Sequence, residues 1–425
     1  MSDVMESDLT EEQVRADVRA WLKANWDPEL SLLEWRNKLV ESGWGAPHYP
    51  KEWHGRGLPV KFNTPIDDEF AKVGAITVAR AGIRTLAAAT ILDHGTDFHK
   101  QKFLRRILTG EDTWCQLFSE PGSGSDMAGA VTRADKKGNK WVINGQKVWT
   151  TSAHKAHWGL LLARANWDAV KHKGLAYFVL DMKQPGVQVH PLRQMNGHAS
   201  FNQVFFTDAE VEPEMMICDV GDGWTVATTT LMHERRGADG LRTWAQASNR
   251  KGRIYEEEKA EIATTMEPYK WYPQRAGRVD LVMKRAKETG KIADPVVRQE
   301  IAKLLIMSKS AEWTARRARA AQNQGKPQGP EGSLGKLASS HVARQAARVH
   351  TYITGSDALL SGADSPMEGV IAEILVSVPA TSIAGGTDEI QRNIISERVL
   401  KMPKEPSVDT TKPFKDVPRN ITAKT

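Results

Sequence analysis

KWVINGQKVWTTS, residues 140–152, decides where this chain changes character. An Asn-Gly pair, Asn144 and Gly145, sits between two short apolar runs. Both central residues of a tight two-residue hairpin take positive φ, which Asn and Gly tolerate best, so the stretch predicts a β-hairpin. Outward from it lie HWGLLLARA (157–165), GLAYFVLDM (174–182) and FNQVFFTDAEV (201–211). Each is short, rich in apolar residues and strand-like. They predict a compact β domain over residues 113–217.

The flanks have a different period. In LTEEQVRADVRAWLKANW (9–26), Val14, Val18, Trp21 and Leu22 fall on one helical face. DFHKQKFLRRILTG (97–110) repeats the pattern with Phe98, Phe103, Leu104 and Ile107, and Gly110 suits a C-terminal cap. Between them HYPKEWHGRGLPV (48–60) is a Gly/Pro-rich loop. Past residue 222 helices return. Asp294 predicts an N-cap before Pro295, and Val297, Ile301, Leu304 and Leu305 form a packing stripe. GPEGSLGKLASSHVARQAARVHTYITG (329–355) predicts a second long helix. The last stretch, MPKEPSVDTTKPFKDVPRNITAKT, has four prolines and no apolar period, which predicts an extended or disordered tail. The expected division is therefore 1–112 helical, 113–217 β, 218–402 helical bundle and 403–425 tail. The fold class is mainly α with an inserted β domain.

Composition narrows the function classes. With 425 residues the chain exceeds a single core and suits two or three packed units. Hydrophobic residues make up 40% and charged residues 26%, an ordinary soluble balance. No apolar run approaches the roughly 20 residues of a membrane span, so none is expected. The acidic start MSDVMESDLTEEQ resembles neither a signal nor a transit peptide, and a cytoplasmic protein is expected. Cys115 and Cys218 give neither a disulfide framework nor a zinc pattern, so no metal is expected. The formal charge of +6 is spread along the chain rather than blocked, which argues against nucleic acid and leaves room for an anionic ligand such as a CoA phosphate.

FSEPGSGSDMAG (118–129) packs hydroxyls and glycines into one loop. Such a loop is either a plain turn or a ligand cradle. Trp149, with Thr150 and Thr151 beside it, is either a core residue or a cofactor cover. Taken together, CQLFSEPGSGSD (115–126), VINGQKVWTTSAHKAHW (142–158) and GGTDEIQRNIISERVL (385–400) follow the order and rough spacing of the FAD-dependent acyl-CoA dehydrogenases. The resemblance spans roughly residues 10–402. It implies an N-terminal helical domain, a middle β domain and a C-terminal four-helix bundle, with FAD between the β domain and the bundle. It further implies that Phe118 and Ser119 face the pyrimidine side of the flavin and that Ser125 meets the thioester end of the acyl-CoA. Trp149 and Thr151 would cover the ring and bond near N5, with Thr150 between them. Thr387 and Glu389 would approach the cofactor, although the family carries glutamine at the Glu389 position. The segment NRKGRIYEEEKAEIATTMEPYKWYPQRAG (249–277) replaces the one with which many members reach a neighbouring subunit's FAD, so that contact does not transfer.

The base is the missing piece. In well-known members it is a glutamate two places before the threonine matched by Thr387, and here that place holds Gly385. In relatives resembling isovaleryl-CoA and long-chain acyl-CoA dehydrogenases, the base directly precedes an arginine on the first bundle helix, and the C-terminal place is glycine. Glu234-Arg235 in TLMHERRGADG (230–240) matches that arrangement. Glu234 is thereby the expected α-proton base, with Arg235 and His233 at the substrate end. Read locally, Glu234 is a solvated or ion-paired helix residue. The resemblance implies conversion of an acyl-CoA to its trans-2-enoyl-CoA, electrons passed to an electron-transferring flavoprotein, and a homotetramer or dimer. A flavin-binding subunit of a heteromer and an acyl-CoA oxidase using oxygen are the alternatives.

Overall fold

A computed structural model describes residues 9–78, 82–244, 249–323, 331–407 and 409–418; side chains are not described at 235–244, 322–323 and 331. The chain divides into two compact units. The first takes the described residues up to Pro191, then Phe201–Glu267 and the described tail. The second takes Leu192–Ser200 and Pro268–Ser407.

The first unit begins with α1 (Glu11–Asn25), α2 (Leu32–Ser42), α3 (Asn63–Val73), α4 (Ile83–His94) and α5 (Asp97–Thr109). Thr10 starts α1 with a reciprocal cap: its hydroxyl accepts from Gln13 N and the Gln13 side chain accepts from Thr10 N. Val14, Val18 and Leu22 are buried, as the helical spacing required. Gly110 ends α5 at φ 84°, a left-handed value that glycine adopts without strain. Phe98 departs from the expected stripe: it is exposed, and His99 takes the inward position beside it.

Eight strands follow among the described residues: β1 (Trp114–Leu117), β2 (Arg133–Lys137), β3 (Lys140–Thr151), β4 (Trp158–Arg164), β5 (Leu175–Asp181), β6 (Val187–Leu192), β7 (Phe201–Val211) and β8 (Met216–Ile217). Their order is β6-β7-β3-β2-β4-β5-β8, with β1 parallel to β4. Leu160–Ala163 and Leu175–Leu180 are buried throughout, which explains their unbroken apolar runs.

The Asn-Gly hairpin is corrected. β3 runs straight through Asn144 and Gly145, and its pairing to β7 shifts register there. Gly145 sits at φ 147° and an added Cβ would lie 2.8 Å from Thr132 Cα, so the glycine serves a bulge with close backbone approach. The hairpin turn lies earlier, at Gly138-Asn139, where Lys137 pairs with Lys140. Gly138 has φ 58°, the first central position of a turn that needs glycine there.

α6 (Gly223–Trp244) and α7 (Arg253–Met266) complete the first unit. α6 packs on α4 and β5 through buried hydroxyls: Thr230 Oγ1 lies 2.9 Å from Thr90 Oγ1 and 3.1 Å from Tyr177 Oη. The described part of the tail is extended and anchored. Phe414 is 1% exposed. The Arg164 guanidinium stacks 3.6 Å from its ring, and the backbone N–H of Phe414 donates to Ala169 O at 2.9 Å. Asp409 pairs with Lys171 and Lys415 with Asp168. One aromatic anchor and two ion pairs hold a segment whose prolines gave no apolar period.

The second unit holds α8 (Tyr272–Arg275), α9 (Val279–Glu288), α10 (Pro295–Asn323), α11 (Glu331–Thr354), α12 (Val370–Ser377), α13 (Pro379–Ile383) and α14 (Asp388–Ile394). Asp294 caps α10, its Oδ1 accepting from Val296 N at 2.8 Å. Val297, Ile301 and Leu304 pack on Val282, Val349 and Ile353, whereas Leu305 is exposed. Pro366–Val399 is apolar enough by composition to cross a membrane. It is divided among α12, α13 and α14, with Pro379 opening α13 and Gly385-Gly386 before α14, so no single helix runs its length.

Candidate flavin and acyl-thioester site

The site starts at the end of β1. Its register beside β4 carries Trp114, Cys115 and Leu117 into the core, leaves Gln116 half-buried, and delivers Phe118 and Ser119 at the sheet's rim. Phe118 is buried edge-on against Tyr177, ring centres 5.9 Å apart, and Ser119 is half-buried. β3 meets them: Val148 N donates to Ser119 O at 2.8 Å. Beyond Val148 the burial alternates. Trp149 is 56% exposed with φ 62°, Thr150 is buried, and Thr151 is half-buried. The Thr150 hydroxyl has no hydrogen-bond partner among the described residues. Phe118, Ser119, Trp149 and Thr151 thus gather at one rim, while Thr150 turns inward.

A buried ion pair underlies this rim. Lys147 Nζ donates to Glu120 Oε1 at 2.7 Å and to Phe118 O at 2.9 Å. Glu120 also accepts from Val131 N at 2.7 Å and Thr132 N at 3.0 Å. Burial opposes the Glu120 charge, but Lys147 and these donors hold its carboxyl below the usual range. Glu120 and Lys147 are not among the site residues expected from sequence. A buried lysine is costly unless paired, and its partner Glu120 lies 27 residues away in sequence, so no local pattern marks the pair. Ser125 lies exposed in the following loop, which is tied by the Glu120–Ser123 bridge and by Ser123 Oγ donating to Asp126 O.

Glu234 rides on α6 and is exposed. Gln116 Nε2 reaches its Oε2 at 3.5 Å, the outer limit of a hydrogen bond. Gln116 is on β1, two residues before Phe118. His233 Nε2 contacts Asp93 Oδ2 at 2.8 Å, beside the His94–Thr229 contact of 2.9 Å. The Arg235 side chain lies outside the described residues.

Thr387 and Glu389 belong to the second unit. Thr387 caps α14, its Oγ1 accepting from Ile390 N at 3.2 Å, and Glu389 is exposed and paired with Arg392. Gly385 has φ 70° and open space where a Cβ would be. That conformation favours glycine whatever the room.

Three domain models match in chain order: acyl-CoA dehydrogenase N-terminal domain (residues 5–111), middle domain (115–209) and C-terminal domain (277–400). The chain is 32% identical over 420 residues to acyl-CoA dehydrogenase IpdE1 of Mycobacterium tuberculosis, covering 93% of this chain and 98% of that one. This chain belongs to the acyl-CoA dehydrogenase family. It is an oxidoreductase, and FAD is its cofactor. Acyl-CoA dehydrogenase FadE34 of the same organism is 34% identical over 368 residues, 86% of this chain and 46% of that one. Among solved structures, a steroid ACAD named Tcur3481-Tcur3483 superposes with TM-score 0.63 at 22% identity, over 93% of this chain and 98% of that one. That likeness shows the fold.

The rim suits the cofactor. An exposed indole, half-buried hydroxyls at Thr151 and Ser119, and strand-end backbone offer a flat apolar cover beside polar contacts.

Proposed function

We propose that this acyl-CoA dehydrogenase removes the α-proton of an acyl-CoA with Glu234 and releases the trans-2-enoyl-CoA. The observation that carries the reading is the Gln116–Glu234 contact, which joins the carboxylate on α6 to the strand that presents Phe118 and Ser119. When bound, FAD supplies the acceptor for the β-hydrogen as hydride. Phe118, Ser119, Trp149 and Thr151 would hold and cover it, and Ser125 would meet the thioester end. Glu234 takes the α-proton. His233, fixed by Asp93, and Arg235 border the substrate end. A base for a weakly acidic C–H works best away from water, and Glu234 is exposed in the fold, so covering it falls to the bound acyl-CoA itself. Electrons pass onward to an electron-transferring flavoprotein. The working form is a homo-oligomer; Ile306 and Trp313, exposed seven residues apart on α10, support a covered face.

The test mixes yellow, FAD-loaded protein anaerobically with a panel of acyl-CoA thioesters. The expected result is bleaching of the flavin band and an enoyl-CoA product with at least one member. Yellow protein that no acyl-CoA bleaches contradicts the reading. Oxygen uptake without an added acceptor would reassign the electrons to an oxidase.

A further inference from the structure

Lys147 and Glu120 are expensive residues to bury. Lys147 is 0% exposed and sits on β3, and Glu120 is buried at the head of the glycine-rich loop. Taking two charges out of water is repaid only where the geometry is close and the remaining donors and acceptors are answered. Here they are. Glu120 collects the ammonium and the N–H groups of Val131 and Thr132. The ammonium divides itself between Glu120 and one backbone carbonyl, that of Phe118.

That carbonyl matters because of the peptide unit to which it belongs. Phe118 C=O and Ser119 N–H are the two ends of one amide. A cation donating to the oxygen draws electron density toward it and makes the N–H of the same amide a stronger donor. The next residue along β3, Val148, clamps the following carbonyl, Ser119 O, at 2.8 Å. Consecutive β3 residues thus grip consecutive carbonyls at the rim, and Trp149 follows immediately.

We propose that Lys147, held by Glu120, is a positioning residue of the flavin site: it fixes and polarises the Phe118–Ser119 amide, whose N–H serves as a strengthened donor to the pyrimidine ring of FAD. The inference rests on the reading that Phe118 and Ser119 face the flavin. It gives the buried pair a role besides stability. The amide favours the reduced flavin, whose pyrimidine side carries more negative charge, over the oxidised one.

Two charge-neutral double variants test it. Glu120→Gln with Lys147→Met removes the donor to Phe118 O without stranding a charge. Glu120→Gln with Lys147→Gln keeps a neutral donor near the same place. Folding is followed by circular dichroism of the apoprotein, and FAD by its dissociation constant, visible band and reduction potential. The Met variant is expected to fold, to bind FAD about tenfold more weakly, and to have a lower potential by ~30 mV, a tenfold change for a two-electron couple. The Gln variant is expected to recover part of both. Unchanged affinity and potential in the folded Met variant would overturn the proposal. So would equal losses in both variants, or failure of both to fold, since each makes the pair a structural element alone. Wild-type protein that stays colourless with added FAD would instead remove the flavin reading on which the proposal stands.

Discussion

Two regions of the first unit handle charge in opposite ways. At the β1–β3 rim the carboxylate of Glu120 is buried and answered by an ammonium and two backbone N–H groups. On α6 the carboxylate of Glu234 is exposed, and its contact with Gln116 is long. The first arrangement is finished by folding. The second faces solvent, as the proposed meeting with a substrate requires. On the proposed reading, the fold builds its cofactor geometry into the core and leaves its proton chemistry to be completed by the ligand.

The largest expected effect falls on the open side. Glu234→Gln should lose about 10²–10⁴-fold in turnover, the usual contribution of a positioned base. Because the residue is exposed, stability should stay within about 0.5 kcal/mol of wild type in a denaturant titration. A comparable loss of stability would erase the contrast between the regions. On the closed side, Phe414→Ala should destabilise by about 3–5 kcal/mol, because it empties the ring's place against Arg164 and Trp167. An unchanged urea midpoint would return the tail to a solvated role.

A pH titration probes the ground between them. Tyr49 is buried, and burial first, then Asp93, pushes its hydroxyl up to about 12. In the unfolded chain a tyrosine ionises near ~10. The folded value is the higher one, so the stabilisation is complete below about pH 10 and is lost as pH rises toward 12. The loss should reach roughly 2–3 kcal/mol, and Tyr49→Phe should remove it. Alkaline unfolding identical in the variant would contradict this. The smallest effect is expected at Trp149→Ala. With 56% of the residue exposed and one edge contact to Phe201, stability should fall by about 1 kcal/mol or less while FAD affinity weakens. Unchanged affinity with a large stability loss would assign Trp149 to the core.

Much of this was legible in the chain. The α1 stripe, the Gly110 stop, the Asp294 cap and the strands β4, β5 and β7 follow from local periodicity and caps, which are short-range properties. The Asn144-Gly145 hairpin was misplaced for an instructive reason. Asn-Gly suits a turn, but positive φ and a missing side chain also suit a bulge under a close neighbour, and here that neighbour is Thr132, just before β2. The docking of the tail was invisible because its anchor is a single phenylalanine whose partner, Arg164, lies some 250 residues earlier at the end of a strand rich in apolar residues. The rim residues Phe118, Ser119, Trp149 and Thr151 came from resemblance. Glu120 and Lys147 were passed over, because no local pattern distinguishes a paired buried lysine from a solvated one. Only tertiary pairing does that.

The central proposed step, Glu234 taking the α-proton, can be watched apart from hydride transfer. FAD-loaded protein is reduced beforehand, mixed with an accepted acyl-CoA in D2O, and deuterium entering the α-carbon is followed by mass spectrometry. Wild-type protein should exchange the α-hydrogen. Glu234→Gln should bind the same acyl-CoA and FAD but exchange about 10²–10⁴-fold more slowly. Exchange at the wild-type rate in Glu234→Gln would place the base elsewhere in the molecule and contradict the account.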